Sequence, residues 1–182
     1  MIAHPGDPER CVVVLPGMRY STQAPLLWFA REVALARGWS VLEAPELLPE
    51  DEPDPFAWAL RQAEGALAGT AARVRVLIGK SLSTAAAALA ADHGLPGVWL
   101  TPLLDQDVVI EGLARASAPA LLVGGTADPT WRPVVLPANP GLEPLELDGL
   151  DHSLRRAGDP GASLDALRTV TEALDGFLAR LN

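Results

Sequence analysis

The chain is poor in the groups that usually announce a redox, metal or nucleic-acid chemistry. It has one cysteine, Cys11, so no intramolecular disulfide can form, and a reducing cytoplasmic compartment fits. Cys11 opens an apolar run and reads as a core residue. Only three histidines occur, and with one cysteine they show no ligand spacing, so no metal site is expected. Basic residues are outnumbered 14 to 23 by acidic ones, and the net charge of −9 argues against nucleic acid or an anionic membrane as partner. No apolar run reaches the roughly 18 residues that span a bilayer. The first ten residues, Met1-Ile-Ala-His-Pro-Gly-Asp-Pro-Glu-Arg10, are polar and proline-broken, so no signal peptide is expected. Internal repeats and domain-sized linkers are missing as well. What is present is hydrophobic substance, 49% of 182 residues, enough for one globular domain with a real core.

Short apolar runs alternate with longer helical patterns. Strands are expected at 11–15, 39–44, 74–79, 97–101, 120–124 and 143–147. Helices are expected at 22–37, 56–67, 82–92, 106–116 and 163–180, with Asp54 and Pro55 as N-cap and first residue of the second. Strands that are apolar throughout, separated by helices, indicate a parallel sheet covered on both faces. The prediction is a doubly wound, mostly parallel six-stranded α/β sheet flanked by helices. The proline-rich stretch 45–55 and the segment 131–144 read as the irregular parts.

The chemistry is carried by Val74-Arg-Val-Leu-Ile-Gly-Lys-Ser-Leu-Ser-Thr84, followed at once by alanines. This is strand, very tight turn and helix with Ser81 at the apex, a geometry that lifts a hydroxyl clear of the sheet. A serine nucleophile needs a base, and the base needs an orienting acid. His4 precedes the first strand and is expected at the opposite, N-terminal edge of the sheet. His93 lies about 12 residues along the helix, roughly 18 Å away. His152, in a loop after the sixth strand, is left as the base. Asp128, in Gly124-Gly-Thr-Ala-Asp128 after the fifth strand, is the natural acid, with Asp105 as the alternative. Asp105 and Asp107 otherwise read as caps of the next helix, and Asp148 and Asp151 as a solvated turn. An oxyanion would be met by the backbone N–H of Leu82 and by that of Met18, in the loop Leu15-Pro-Gly-Met-Arg-Tyr20, where Gly17 allows close approach.

With Leu15-Pro-Gly-Met18, Ile78-Gly-Lys-Ser-Leu-Ser83, Gly124-Gly-Thr-Ala-Asp128 and Asp151-His152, the chain resembles the α/β-hydrolase superfamily. It is most similar to small lidless members of the dienelactone-hydrolase kind, from Cys11 to the C-terminus. The order Ser81, Asp128, His152 is the chain order of that superfamily. The resemblance implies strand order 2-1-3-4-5-6, no cap domain and an open site. Ser83 stands where the usual elbow has its last glycine, a small residue replacing the smallest.

Lys80-Ser81 is not the end of a phosphate-binding loop, because the required first glycine is Val74, inside the strand. Gly124-Gly125 lacks the spacing of a dinucleotide-binding turn. Trp28, Trp39, Trp58 and Trp99 read as packing residues, whereas Trp131 is expected to line a substrate pocket. Arg19 and Lys80 flank the site as possible attractors of an anionic substrate. The reading is therefore a cofactor-independent serine hydrolase of a small carboxylic ester or thioester. The alternative is a non-catalytic ligand- or protein-binding module on the same scaffold. Oligomeric state, acid and alcohol are left open by the sequence.

Overall fold

The computed structural model describes residues 1–44, 48–136 and 138–181. In chain order the strands are β1 (Ile2–His4), β2 (Asp7–Leu15), β3 (Trp39–Glu43), β4 (Val74–Lys80), β5 (Gly97–Leu100), β6 (Ala120–Gly125) and β7 (Leu142–Leu147). The helices are α1 (Pro25–Ala36), α2 (Pro55–Ala68), α3 (Ala87–His93), α4 (Asp107–Ala114) and α5 (Pro160–Ala179). Short 3₁₀ turns cover Ser81–Ala86 and Pro133–Val135. Residues 45–47, at the start of the expected proline-rich loop, lie outside the described residues.

The sheet order is β1-β3-β2-β4-β5-β6-β7, and every pairing but β1 with β3 is parallel. Without β1 this is the order implied by the resemblance. The expectation of six strands is thus corrected to seven. β1 runs antiparallel along β3 and gave no sequence signal, because its pairing uses backbone groups while Ile2 stays exposed. Gly6 makes the approach possible: a Cβ there would fall 2.3 Å from the Trp39 carbonyl oxygen. The placement of His4 is corrected too. Its Nε2 reaches Glu43 Oε1, 2.5 Å away at the C-terminal end of β3. Arg31 and Gln23 also donate to the fully buried Glu43 carboxylate. Burial alone would raise its pKa, but hydrogen bonds from Thr22, Arg31 and His4 outweigh that and hold it below the usual carboxylate range.

Alternation along the strands splits the core in two. Val12, Val14, Val76, Ile78, Val98 and Val123 face α1 and α5. Cys11, Val13, Leu15, Leu77, Trp99 and Leu122 face α2, α3 and α4. Each such side chain contributes about 1.5–3 kcal/mol of burial, which explains strands apolar on both faces. Trp39 and Trp99 are buried and Trp58 nearly so, while Trp28 is half-buried with its ring edge-on to Phe29. α2 starts as expected, with Asp54 accepting from the Ala57 amide at 3.0 Å. Proline also sets the starts of α1 and α5, at Pro25 and Pro160, later and earlier than periodicity suggests. Gln106, not an aspartate, is the N-cap residue of α4, and Asp107 lies in its first turn. Among the described residues no helix is long and apolar enough to cross a membrane.

Helices α3 and α4 touch through Gly112, where a Cβ would meet the Ala88 backbone nitrogen at 2.5 Å. Gly112→Ala forces these backbones apart and is expected to cost about 1–3 kcal/mol, measured by urea denaturation. Unchanged stability would contradict this close packing.

Candidate active site

A parallel sheet delivers the segments that follow its strands to one edge. Four of them meet here: those after β2, β4, β6 and β7. Ser81 directly follows β4 with φ +51°, in the left-handed region that a serine enters only when its surroundings impose it. Gly79 makes room for the turn, since a Cβ there would lie 2.8 Å from the Ser83 carbonyl oxygen. The chain then continues as a 3₁₀ turn before α3, rather than directly as the expected α-helix. Thr84 donates its hydroxyl to the Ser81 carbonyl at 2.6 Å. Ser83 donates its own to the Pro16 carbonyl, binding the elbow to the loop after β2. The last elbow position thus holds a hydrogen-bonding residue in place of glycine.

Ser81, His152 and Asp128 form one hydrogen-bonded chain. His152 Nε2 lies 2.9 Å from Ser81 Oγ, and Nδ1 lies 2.7 Å from Asp128 Oδ2. Asp128 is 3% exposed. Burial by itself would raise its pKa, but hydrogen bonds from His152 and from the amide and hydroxyl of Thr130 outweigh it and hold the carboxyl below its ordinary value. Thr130 provides those two bonds to Oδ1 at 2.9 and 2.8 Å. An ionised Asp128 only accepts, so Nδ1 carries the imidazole proton and Nε2 is left to accept from Ser81. Asp105 is exposed on the segment after β5 and makes no contact with His152.

The loop carrying His152 is shaped by Asp151, whose carboxylate accepts from the amides of Ser153 and Arg155 at 2.8 and 3.0 Å, with Leu154 at φ +54°. The loop after β2 turns tightly between Gly17 and Tyr20, with Arg19 at φ +55°. A Cβ on Gly17 would lie 3.5 Å from that of Ser81, so this turn abuts the serine. The Met18 amide makes no hydrogen bond among the described residues, and Leu82 begins a helical turn, where amides lack helical acceptors. The Leu82 side chain is buried with Trp58 and Ala59, which leaves its backbone at the site.

Of three further sequence expectations, two come out differently. Arg19 is exposed on the turn beside the site, as expected. Lys80 is 2% exposed and faces inward. Its ammonium donates to the His152 carbonyl and to Thr101 Oγ1, both at 3.1 Å, and lies 4.7 Å from the centre of the Tyr20 ring. It is therefore a strut beneath the histidine loop, not an attractor at the mouth. Trp131 belongs to the core: its ring covers Gly124, where a Cβ would fall 2.0 Å from it, and its indole N–H donates to Glu146 at 2.7 Å. An amphipathic ring on an edge segment reads like a pocket residue, but the bare surface of Gly124 draws it under the sheet. Thr130 escaped notice although the Asp-Pro-Thr spacing is an Asx-turn signal. Tyr20 and Thr101 carried none.

No protein-family model matches the sequence, and no curated protein matches it in sequence. Solved structures match it in fold. The mouse alpha/beta hydrolase domain-containing protein 10 superposes with a TM-score of 0.76 over 100% of this chain and 94% of its own, at 11% identity. An alpha-beta serine hydrolase homologue from Coxiella burnetii gives 0.73 over 95% and 90%, at 10% identity. Dienelactone hydrolase from Anabaena variabilis gives 0.65 over 92% and 86%, at 20% identity. The chain has the α/β-hydrolase fold. A Xanthomonas campestris protein described as a serine hydrolase without lid also shares it, with a TM-score of 0.64 at 13% identity.

Burial lowers the Lys80 pKa from 10.5 to about 8, against the opposing pull of Asp128 and Asp151. Between those values the unfolded chain binds more protons than the folded one, so stability rises with pH there. From pH 7 to 10 the protein should gain about 2 kcal/mol relative to Lys80→Met. Urea denaturation of both proteins at the two pH values measures it. A constant gap would refute the buried ammonium.

Proposed function

We propose that the protein is a serine hydrolase, acting as a single domain, that cleaves a carboxylic ester or thioester through a covalent acyl-enzyme. The observation that carries this reading is the bridge made by His152 between Ser81 at 2.9 Å and the buried Asp128 at 2.7 Å. Ser81 Oγ forms a bond to the carbonyl carbon while its proton passes to His152 Nε2. Asp128 holds the imidazole in the required tautomer and stabilises its cation. The carbonyl oxygen, now an oxyanion, is received by the amides of Leu82 and Met18. The C–O or C–S bond breaks as His152 hands the proton to the leaving oxygen or sulfur. Water then loses a proton to His152, attacks the acyl carbon and releases the acid, and Ser81 regains its proton. The similarity to esterase folds supports hydrolysis at the level of fold, and the residues above supply the chemistry. A single buried cysteine suits a cytoplasmic setting.

A fluorophosphonate should label the intact protein once, on Ser81, as read by mass spectrometry, with no adduct on Ser81→Ala. A folded but unlabelled protein would overturn this reading in favour of a binding module. Asp128→Asn should retain the fold and lower kcat on p-nitrophenyl acetate about 10³–10⁴-fold, through the wrong imidazole tautomer. A loss below tenfold would remove Asp128 from the mechanism.

A further inference from the structure

Beside the loop that carries His152 lies a groove of about 900 Å³. It runs between the N-terminal ends of α1 and α5, which pack on the same face of the sheet. Tyr20, Pro25, Leu26, Leu154, Leu164 and Leu167 give it an apolar lining. Its inner end is bounded by Asp151 and Ser153, the two neighbours of His152, and by Tyr20, whose Cβ lies 3.2 Å from a Cβ built on Gly17. The groove therefore adjoins the site at the loop that carries His152. Tyr20 adds a polar group to the mainly apolar wall. Its hydroxyl oxygen accepts from the Leu26 amide at 3.0 Å, which leaves its own proton for an acceptor in the groove. The volume falls at the upper end of the range for small-molecule pockets, far beyond what a methyl or ethyl group needs.

The direction of proton transfer says which half of a substrate belongs there. His152 must reach the leaving oxygen or sulfur, so the leaving group sits on the histidine side of the attacked carbon, while the carbonyl oxygen faces Leu82 and Met18. We infer that this groove binds the leaving-group half of the substrate, and that the enzyme prefers esters of a sizeable alkyl or aryl alcohol with a short acid. This rests on the hydrolase reading above and adds the orientation of the substrate to it. Nothing charged is required of the alcohol. Arg155, at the rim, already faces Asp151 at 3.6 Å.

Two ester series test it. Acetates of alcohols from ethanol to hexanol vary the leaving half, and ethyl esters of acids from acetic to hexanoic vary the acyl half. The expected result is a rise in kcat/KM of about three- to fourfold per methylene along the alcohol series, with a flat or falling acid series. Leu164 is 68% exposed on the groove wall, so Leu164→Glu should fold normally, checked by circular dichroism. It should lower the hexyl-to-ethyl acetate ratio at least tenfold. A rise along the acid series instead, or an unchanged ratio in Leu164→Glu, overturns the groove assignment while Ser81 still takes the fluorophosphonate. Loss of that label and of all turnover overturns the hydrolase reading and this one with it.

Discussion

The left-handed backbone at Ser81 is the constraint on which the rest of the site depends. A serine at φ +51° is strained by roughly 1–3 kcal/mol. Its neighbours hold it there. The Thr84 hydroxyl bonds the Ser81 carbonyl, the Ser83 hydroxyl bonds the Pro16 carbonyl, and Leu82 is buried with Trp58 and Ala59. Two hydrogen bonds of about 1 kcal/mol each and one buried leucine of about 2 kcal/mol exceed the strain. The bond from Ser83 does more than stabilise. It makes the elbow and the loop bearing Met18 one rigid unit, so the proposed donors of the oxyanion site keep their spacing without relying on the flexibility of either loop.

The site also contains two buried charges of opposite sign, each satisfied in its own way. Asp128 is met by three donors, from His152 and twice from Thr130, and remains an anion. Lys80 has only two acceptors and an aromatic face, and burial weakens its hold on the proton. Removing one partner from such an arrangement leaves an uncompensated charge, which costs more than the pair contributes. That asymmetry explains how a buried lysine is retained so close to a serine whose chemistry does not call on it. Its two bonds fix the backbone of His152 and the end of β5, and so fix the imidazole relative to Ser81. The Glu43 cluster works by the same rule at the same edge of the sheet, on β3. There a buried carboxylate fastens β1 and α1 to β3 through His4, Arg31 and Gln23.

What was legible in the sequence follows from these physics. Strands buried on both faces announce themselves by continuous apolar runs, so the inner parallel strands could be read, whereas their order came only with the family resemblance. Ser81, Asp128 and His152 could be placed because each lies in the segment that follows a strand. The antiparallel β1 could not, since backbone pairing along an edge leaves no hydrophobic period in three residues. Lys80 and Trp131 were placed wrongly for one shared reason. Both are amphipathic side chains on edge segments, and whether such a chain turns in or out depends on what lies beneath it. For Lys80 that is the Tyr20 ring and the His152 carbonyl; for Trp131 it is the open surface of Gly124. The groove was invisible because its walls come from two segments far apart in the chain, 20–26 and 151–167.

The same topology separates chemistry from selectivity. The hydrogen-bonded chain is built on the ends of β4, β6 and β7, joining residues 71 and 24 positions apart. Those positions are fixed by parallel strand pairing and tolerate little change. The outer groove wall, by contrast, is the first two turns of α5, anchored by Asp159 through its bond to the Ala162 amide at 2.8 Å. Leu164 there is mostly exposed, so a change at that position alters the shape of the groove at little cost to the core. A fold so arranged can change which leaving group it accepts without moving Ser81. This is the economy available to a site that has no separate lid to carry its specificity.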